Sequence, residues 1–348
     1  PYLFVRGLRQ VDHTVFTVQD GQKTYYDPRF NREVAYSSGQ QVKRSILDAV
    51  SEALSERRAP ITFNRTITAK GKLEDKEPWS PCDPRYADQL LGGWMRAEAN
   101  GKTVKRRSPL SISAMRPLHP LLAGLASESA SFDRSDDPER HPVRVKNADG
   151  EVLSDEEVQQ FLESNDRTLP RRNWIPEDQV GPRAHGLHVF DVAIDLERLF
   201  TVSTNRHEPE LDADLMESLE EEGWTKTENG EHLVCPEERR NEIIPALARG
   251  LVGWRVTSNQ SRTYSPQATL CLAVSDNANR VTNAIRADLT DEGRREEAKP
   301  VIAPFDGVSV FTMPVSKGHI PGVTASPDAL DEAESYITDQ LRAFDYDA

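Results

Sequence analysis

Between Gly186 and Phe200 the chain reads GLHVFDVAIDLERLF, with His188, Phe190, Val192, Ile194 and Leu196 at every second position. Successive side chains of an extended chain point to opposite faces, so these five share one side. The segment is a strand with one buried face, and it needs a sheet to bury that face against. A second long strand is expected at 2–18, YLFVRGLRQVDHTVFTV, with a bulge at Gly7. Helical spacing comes next: Val42, Ile46, Ala49, Val50, Ala53 and Leu54 form one apolar stripe over 40–56. A second helix is expected at 237–254, where Ile243, Ile244, Leu247, Leu251 and Val252 share a side and Pro245 implies a kink or a later start. A short strand near 61–68, strands at 267–275 and 307–315, and a last helix at 327–343 complete the ordered parts.

Two stretches interrupt this order. Residues 69–180 are punctuated by Pro, Gly, Asp and Ser, carry one helix at 154–164, and read as an insertion with little core of its own. Residues 203–236 are acidic and read as a projecting excursion. Without them the order is β-α-β followed by β-α-β. The expected fold class is therefore α+β, a ferredoxin-like split-βαβ arrangement of the kind that also underlies RNA-recognition modules.

The chain of 348 residues carries a formal net charge of −14, which argues against loose, long-range attraction to nucleic acid. A local basic surface remains compatible with it, because the charge is segregated. Residues 1–44 hold Arg6, Arg9, Lys23, Arg29, Arg32, Lys43 and Arg44 against Asp12, Asp20, Asp27 and Glu33. A second basic cluster is Arg96, Lys102, Lys105, Arg106, Arg107 and Arg116, while acids gather in 208–222 and 288–297. Cys82, Cys235 and Cys271 lie far apart, which points to a reducing compartment rather than a disulfide framework. No apolar run is long enough to span a membrane, and the first ten residues lack the order of a secretory signal.

Catalytic signatures are sparse. His185 and His188 stand three apart, so on a strand they point to opposite faces, and no metal-binding acid pattern accompanies them. There is no nucleophile elbow, no phosphate loop and no dinucleotide fingerprint. Asp20 and Asp27, in the first loop, have the chemistry to act with a metal on a phosphodiester, although Asp20-Gly21 and Asp27-Pro28 also read as plain turns.

Two stretches look built to hold an anion. In YSSGQQVKRSILDAV, Ser38 is an N-cap and Gln41, three residues on, completes a capping box. Gly39 permits close approach to the free amides, and the helix dipole favours negative charge there. Lys43 flanks the apolar stripe and Arg44 points away from it. An ordinary capped helix with an Arg44–Asp48 pair explains the same residues. The second stretch, SNQSRTYSP over 258–266, offers many donors and an arginine fork between a helix end and a strand.

The order of these parts resembles the backbone subunit of type I CRISPR surveillance complexes (Cascade), in the repeat-associated RAMP superfamily. Four stretches carry the resemblance: LFVRGLRQVDHTVFTV, SSGQQVKRSIL, HGLHVFDVAIDLERL, and the helix that runs into SNQSRTYSP and QATLCLAV. They cover roughly half the chain, and 69–180 matches no motif. The resemblance implies an RNA-recognition-type palm of residues 1–68, 181–202 and 237–348, with fingers at 69–180 and a thumb at 203–236. It implies copies stacked along a CRISPR guide RNA, with other Cascade subunits and a guide-paired target nucleic acid as partners. It further implies a cytoplasmic setting, no cofactor, no metal and no catalytic residue. Carried to this sequence, the phosphate grip falls on Ser37, Ser38, Gly39, Gln40, Lys43 and Arg44, and on Asn259, Gln260, Ser261 and Arg262. The thumb candidate departs from the pattern by its acidity.

Two other readings stay open. One is a type III-like backbone subunit that cuts RNA with Asp20 or Asp27. The other is a stand-alone binder of single-stranded RNA.

Overall fold

The computed structural model describes residues 1–16, 21–97, 103–127, 129–133, 137, 139–170, 172–175, 181–257, 265–290 and 297–347. They form two compact units, 1–125 with 184–348, and 126–183.

The larger unit is organised by strand β1 (Tyr2–Thr14), which pairs antiparallel on both edges. On one side lies β5 (Arg183–Asp195), in continuous register from Tyr2 opposite Asp195 to Val11 opposite Gly186. On the other lies β6 (Thr269–Ser275), which in turn pairs with β7 (Ser309–Thr312). Three short strands extend the β5 side: β2 (Leu110–Ile112), β3 (Arg116–Pro117) and β4 (Ala123–Ala126). Helix α1 (Gly39–Ala53) packs against α2 (Glu237–Gly253), which also packs against α3 (Ala329–Arg342).

Both sheet faces are covered. Leu3, Val5 and Val11 of β1 join a cluster with Val42, Ile46 and Val50 of α1 and Ile243, Leu247 and Leu251 of α2. Leu8 faces the other way, with Leu187, Val189, Leu270, Ala273 and Val281. The architecture is thus mixed α and β around an antiparallel sheet.

Several expectations are corrected. Gly7 is not a bulge: it sits in regular register opposite Phe190 and Leu272, and the irregularities fall at Leu8/Arg9 and Val11/Thr14. Glycine is needed at 7 because a Cβ would collide with the Phe190 ring. The strand expected near 61–68 stays out of the main sheet. Its Arg65–Ile67 forms a small exposed hairpin with Leu73–Asp75, and the sheet position next to β5 is filled by β2, β3 and β4 instead. Helix α2 starts at Glu237 and includes Pro245, so the later start does not occur. The acidic stretch 203–236 is not a detached arm either. It folds as a helix (Ala213–Glu221) with short strands, and Leu211, Leu219, Trp224, Leu233 and Val234 enter the main core.

The smaller unit holds a hairpin of Ala130–Asp133 with Arg172–Ile175 and a helix, Asp155–Ser164. Ser154 and Glu157 close a complete capping box on that helix. None of its helical residues is buried. Residues 69–125 of the expected finger insertion belong to the larger unit.

His188 lies inside the larger unit, edge-on to Phe16 with ring centroids 5.7 Å apart. Its Nδ1 is 3.2 Å from the Gly186 carbonyl and its Nε2 is 3.3 Å from the Ala35 carbonyl. Desolvation outweighs these two carbonyls and pushes the imidazole down to about 4. The unfolded chain takes up a proton near pH 6.5, whereas the folded chain resists it until about pH 4. Stability should therefore fall as pH drops through that window, by up to roughly 3 kcal/mol. Urea denaturation at pH 7, 5.5 and 4.5 measures this, and His188→Gln, which cannot titrate, should flatten the pH dependence.

Candidate anion site at the start of helix α1

The site is built on the turn between Ala35 and α1. Ser37 is buried and exchanges two backbone hydrogen bonds with Met115, at 2.9 and 3.0 Å. Ser38 takes an extended conformation, and its hydroxyl accepts from the Gln41 amide at 3.4 Å. The expected capping box is only half formed, because the Gln41 side chain accepts from the Ser37 hydroxyl at 2.8 Å. Ser37, buried under that contact, is thus a structural support for the turn.

Gly39 is required by close packing. A Cβ there would lie 2.9 Å from the Ile112 carbonyl oxygen and 3.4 Å from the Ala114 nitrogen. The segment after β2 therefore presses on one side of the helix start. Gln40, beside it, is exposed.

The two cations behave differently. The Lys43 ammonium donates to the Gly92 carbonyl at 2.6 Å and to the Ser108 hydroxyl at 2.8 Å. Burial, and secondarily Arg106, lowers it to about 8. It ties α1 to the 92–108 segment, a role its flanking place on the helical wheel does not reveal. Arg44 is 75% exposed and makes the Arg44–Asp48 contact at 3.6 Å. Asp48 also accepts from Arg58 at 2.8 Å, and Arg58 reaches buried Asp88 at 3.3 Å. An exposed i, i+4 pair is worth about 0.3–0.5 kcal/mol, so Arg44 is readily redirected to another anion. Gln40, Lys43, Arg44 and Arg58 line a groove of about 290 Å³ that runs on to Ile61 and Trp94.

Asn259, Gln260, Ser261 and Arg262 lie outside the described residues, as does Asp20. The flanks of that loop are described. Val256 and Gln267 exchange two hydrogen bonds, at 3.2 and 2.9 Å. The Asp12 amide donates to Ser265 at 3.3 Å, and the Gln10 amide to the Ala268 carbonyl at 2.9 Å. The downstream flank is thus held by the end of β1 whose partner His188 reaches Ala35, two residues before Ser37, and the upstream flank is tied to it through Gln267.

The remaining candidates resolve into structural roles. Asp27 accepts from the amides of Arg29 and Phe30, both at 3.0 Å, which is a turn cap. His185 is exposed and 3.1 Å from Asp12, while His188 is buried. Among the described residues no cluster of three metal-binding side chains occurs, and no helix is long and apolar enough to cross a membrane.

A second basic surface escaped the sequence reading in part. A cleft of about 830 Å³ is lined by Lys105, Arg107, Arg198 and Arg206 together with Glu208 and Glu210, so cations outnumber acids along its wall. Arg106 beneath it is buried and donates to the carbonyls of Leu90, Arg198 and Thr201. Lys105 and Arg107 were legible as a basic cluster; Arg206 was obscured by the acidic run that follows it.

No protein-family model matches the chain, and no curated protein does. Among solved structures, the chain is similar to one in a "CRISPR RNA-guided surveillance complex, pre-nicking". The identity is 12% and the TM-score 0.43, over 98% of this chain and 89% of that one. It is also similar to a chain of a second "CRISPR RNA-guided surveillance complex". There the identity is 11% and the TM-score 0.38, over 98% of this chain and 84% of that one.

The split between Lys43 and Arg44 is measurable. Lys43→Ala should cost about 1–3 kcal/mol in urea denaturation, because it leaves the part-buried Gly92 carbonyl without its ammonium donor and removes the tie to Ser108. Arg44→Ala, on the solvent face, should stay within about 0.5 kcal/mol of the parent.

Proposed function

We propose that this chain is a CRISPR RNA-binding backbone subunit of a type I surveillance complex, one that repeats along the guide RNA and has no catalytic role. The observation that carries the proposal is the start of α1. Its Ser38-capped turn is fixed by Ser37 and Met115, its Gly39 is packed on one side, and exposed Gln40 and Arg44 stand over a groove. A helix N-terminus with free amides and an exposed arginine suits a phosphate. In this reading Ser38, Gly39, Gln40 and Arg44 meet the guide backbone, while Ser37 and Lys43 hold the turn in place. Asn259, Gln260, Ser261 and Arg262 are proposed as the second grip on the strength of the sequence resemblance.

The strand order supports the same reading. Taken across the sheet it is β6–β1–β5–β2, and along the chain it is β1–α1–β2–β5–α2–β6. We read this as the split-βαβ palm, with β2 in the place first assigned to 61–68. Residues 126–183 fit the fingers and 203–236 the thumb. The cleft beside Lys105, Arg107 and Arg206 offers a further cationic surface to the same strand or to a target paired with it. Partners in the proposal are the guide RNA, further copies of this chain and other Cascade subunits, in the cytoplasm. Asp27, as a turn cap, favours this over a type III-like nuclease.

The test is co-expression with a CRISPR array and partner subunits, followed by extraction of bound nucleic acid. A discrete guide RNA resistant to moderate salt is expected; heterogeneous fragments that wash off would contradict the proposal. Arg44→Ala should weaken guide binding and reduce the log–log salt slope by about 0.7 per subunit, the share of one single-strand phosphate. Sequence preference should not change, because phosphates carry no base identity. Regular Mg²⁺-dependent cuts in complementary RNA, lost in Asp20→Ala or Asp27→Ala, would favour the nuclease reading.

A further inference from the structure

Along the strand Thr103–Arg106 and one residue past it, exposure alternates: Val104 and Arg106 are buried, while Thr103, Lys105 and Arg107 face out. The outward three line the cleft of about 830 Å³, together with Arg198, Arg206 and Glu208. Glu210 lines it too but is committed inward. Its Oε2 accepts from the Ser203 amide at 2.9 Å and stands 3.8 Å from Nε of buried Arg106. Arg198 is partly answered by Asp195, at 3.9 Å. Lys105, Arg107 and Arg206 make no side-chain hydrogen bond or ion pair among the described residues, and Glu208 is the one acid left along the cleft to offset them.

Acids are not scarce in this chain: 57 Asp and Glu stand against 43 Lys and Arg. Exposed Arg44, Arg65, Arg249 and Arg286 each meet one, at 2.9–3.6 Å. Three cations left without one around a single recess repel each other, and nothing in the fold offsets that. They suit an anion from outside. The recess has room for one, because 830 Å³ lies within the roughly 300–1,000 Å³ of ordinary ligand sites.

Spacing and lining narrow the ligand. Two residues along a strand advance roughly 6.5 Å. That suits Lys105 and Arg107 to successive phosphates of a nucleic-acid chain, and it exceeds the step between the linked phosphates of a nucleoside triphosphate. Pro209 is the one apolar residue of the lining, whereas a protein partner is held by a buried apolar centre.

We propose that this cleft binds the phosphodiester backbone of a nucleic-acid strand, with Lys105 and Arg107 on consecutive phosphates and Arg206 on a further one. The proposal rests on reading the chain as a nucleic-acid binder, and it is independent of the grip at the start of α1.

The experiment follows the fluorescence anisotropy of a labelled oligouridylate without terminal phosphates as the full chain is added at a series of low salt concentrations, where charge contacts are least screened. The parent should bind, and a parent that does not bind at the lowest salt overturns the proposal. All three cations are exposed, so the triple variant Lys105→Gln/Arg107→Gln/Arg206→Gln should fold as the parent does. Its log–log salt slope should be smaller by about 2, three single-strand phosphates at about 0.7 each. An unchanged slope overturns the site. If circular dichroism shows the triple variant unfolded, Arg206→Gln alone decides, with an expected drop of about 0.7 and an unchanged slope again overturning the site.

Competition identifies the ligand. Unlabelled oligouridylate should displace the probe better than an oligoglutamate or inorganic triphosphate of equal total charge. Equal or better displacement by oligoglutamate makes the cleft a docking face for an acidic protein, and better displacement by triphosphate makes it a polyphosphate site; either overturns the proposal. The two readings also fail differently. Heterogeneous RNA from the co-expressed complex, with the slope change of the triple variant intact, ends the guide-RNA reading and leaves the cleft. A discrete guide held equally well by the triple variant does the reverse.

Discussion

The two-sided pairing of β1 sets the place of nearly every other element in the larger unit. Its register with β5 is continuous over ten residues, and a slip of one would turn Val5, Arg9 and Val11 away from the helices. Gly7 guards that register, since only a glycine admits the Phe190 ring at that point. Phe190 then packs edge-on against Trp254, with ring centroids 4.9 Å apart, which brings the residue after α2 onto the sheet. A single missing side chain on β1 thus fixes where α2 ends.

The same pairing makes the start of α1 rigid. Strand β5 holds β2 and β3, the backbone between them lies against Gly39, and Met115 bridges to Ser37. Lys43 adds a tie to Gly92 and Ser108 one turn further on. The result is a helix end whose amides cannot drift, beside an arginine that can. That division suits backbone recognition, in which fixed donors set the register of a chain and a mobile cation follows the phosphate.

What could be read in advance, and what could not, follows from the range of each signal. The alternation of 186–200 and the stripe from Val42 to Val50 lie within one element, and β5 and α1 stand where those patterns put them. The strands β2, β3 and β4 have two to four residues each, too few for a periodicity to show, so 61–68 was given their place. The partners of Gln41 and Lys43 were hidden for a different reason. Ser37 competes with Ser38 for the Gln41 side chain, and Gly92 and Ser108 are far from Lys43 in sequence. An N-cap is a local decision, but a buried ammonium's acceptors are a tertiary one. The purpose of Gly39 was misread in the same way: the backbone that crowds it belongs to residues 112–114.

The net charge of −14 also means something different once the fold is known. Among the described residues Arg6, Arg9, Arg106 and Arg240 are all buried, whereas Asp83 and Asp88 are the only buried acids. The solvent-facing surface is therefore more acidic than the formal sum. Long-range attraction cannot bring such a surface to a polyanion, and affinity must come from short-range, desolvated contacts. Contacts of that kind are few on one subunit. In the proposed array, however, each bound copy would hold the next stretch of backbone at high effective concentration beside its neighbour's site. Under that proposal an acidic chain would bind RNA tightly as an array while ignoring it as a monomer, which would tie the assembly state to the choice of ligand.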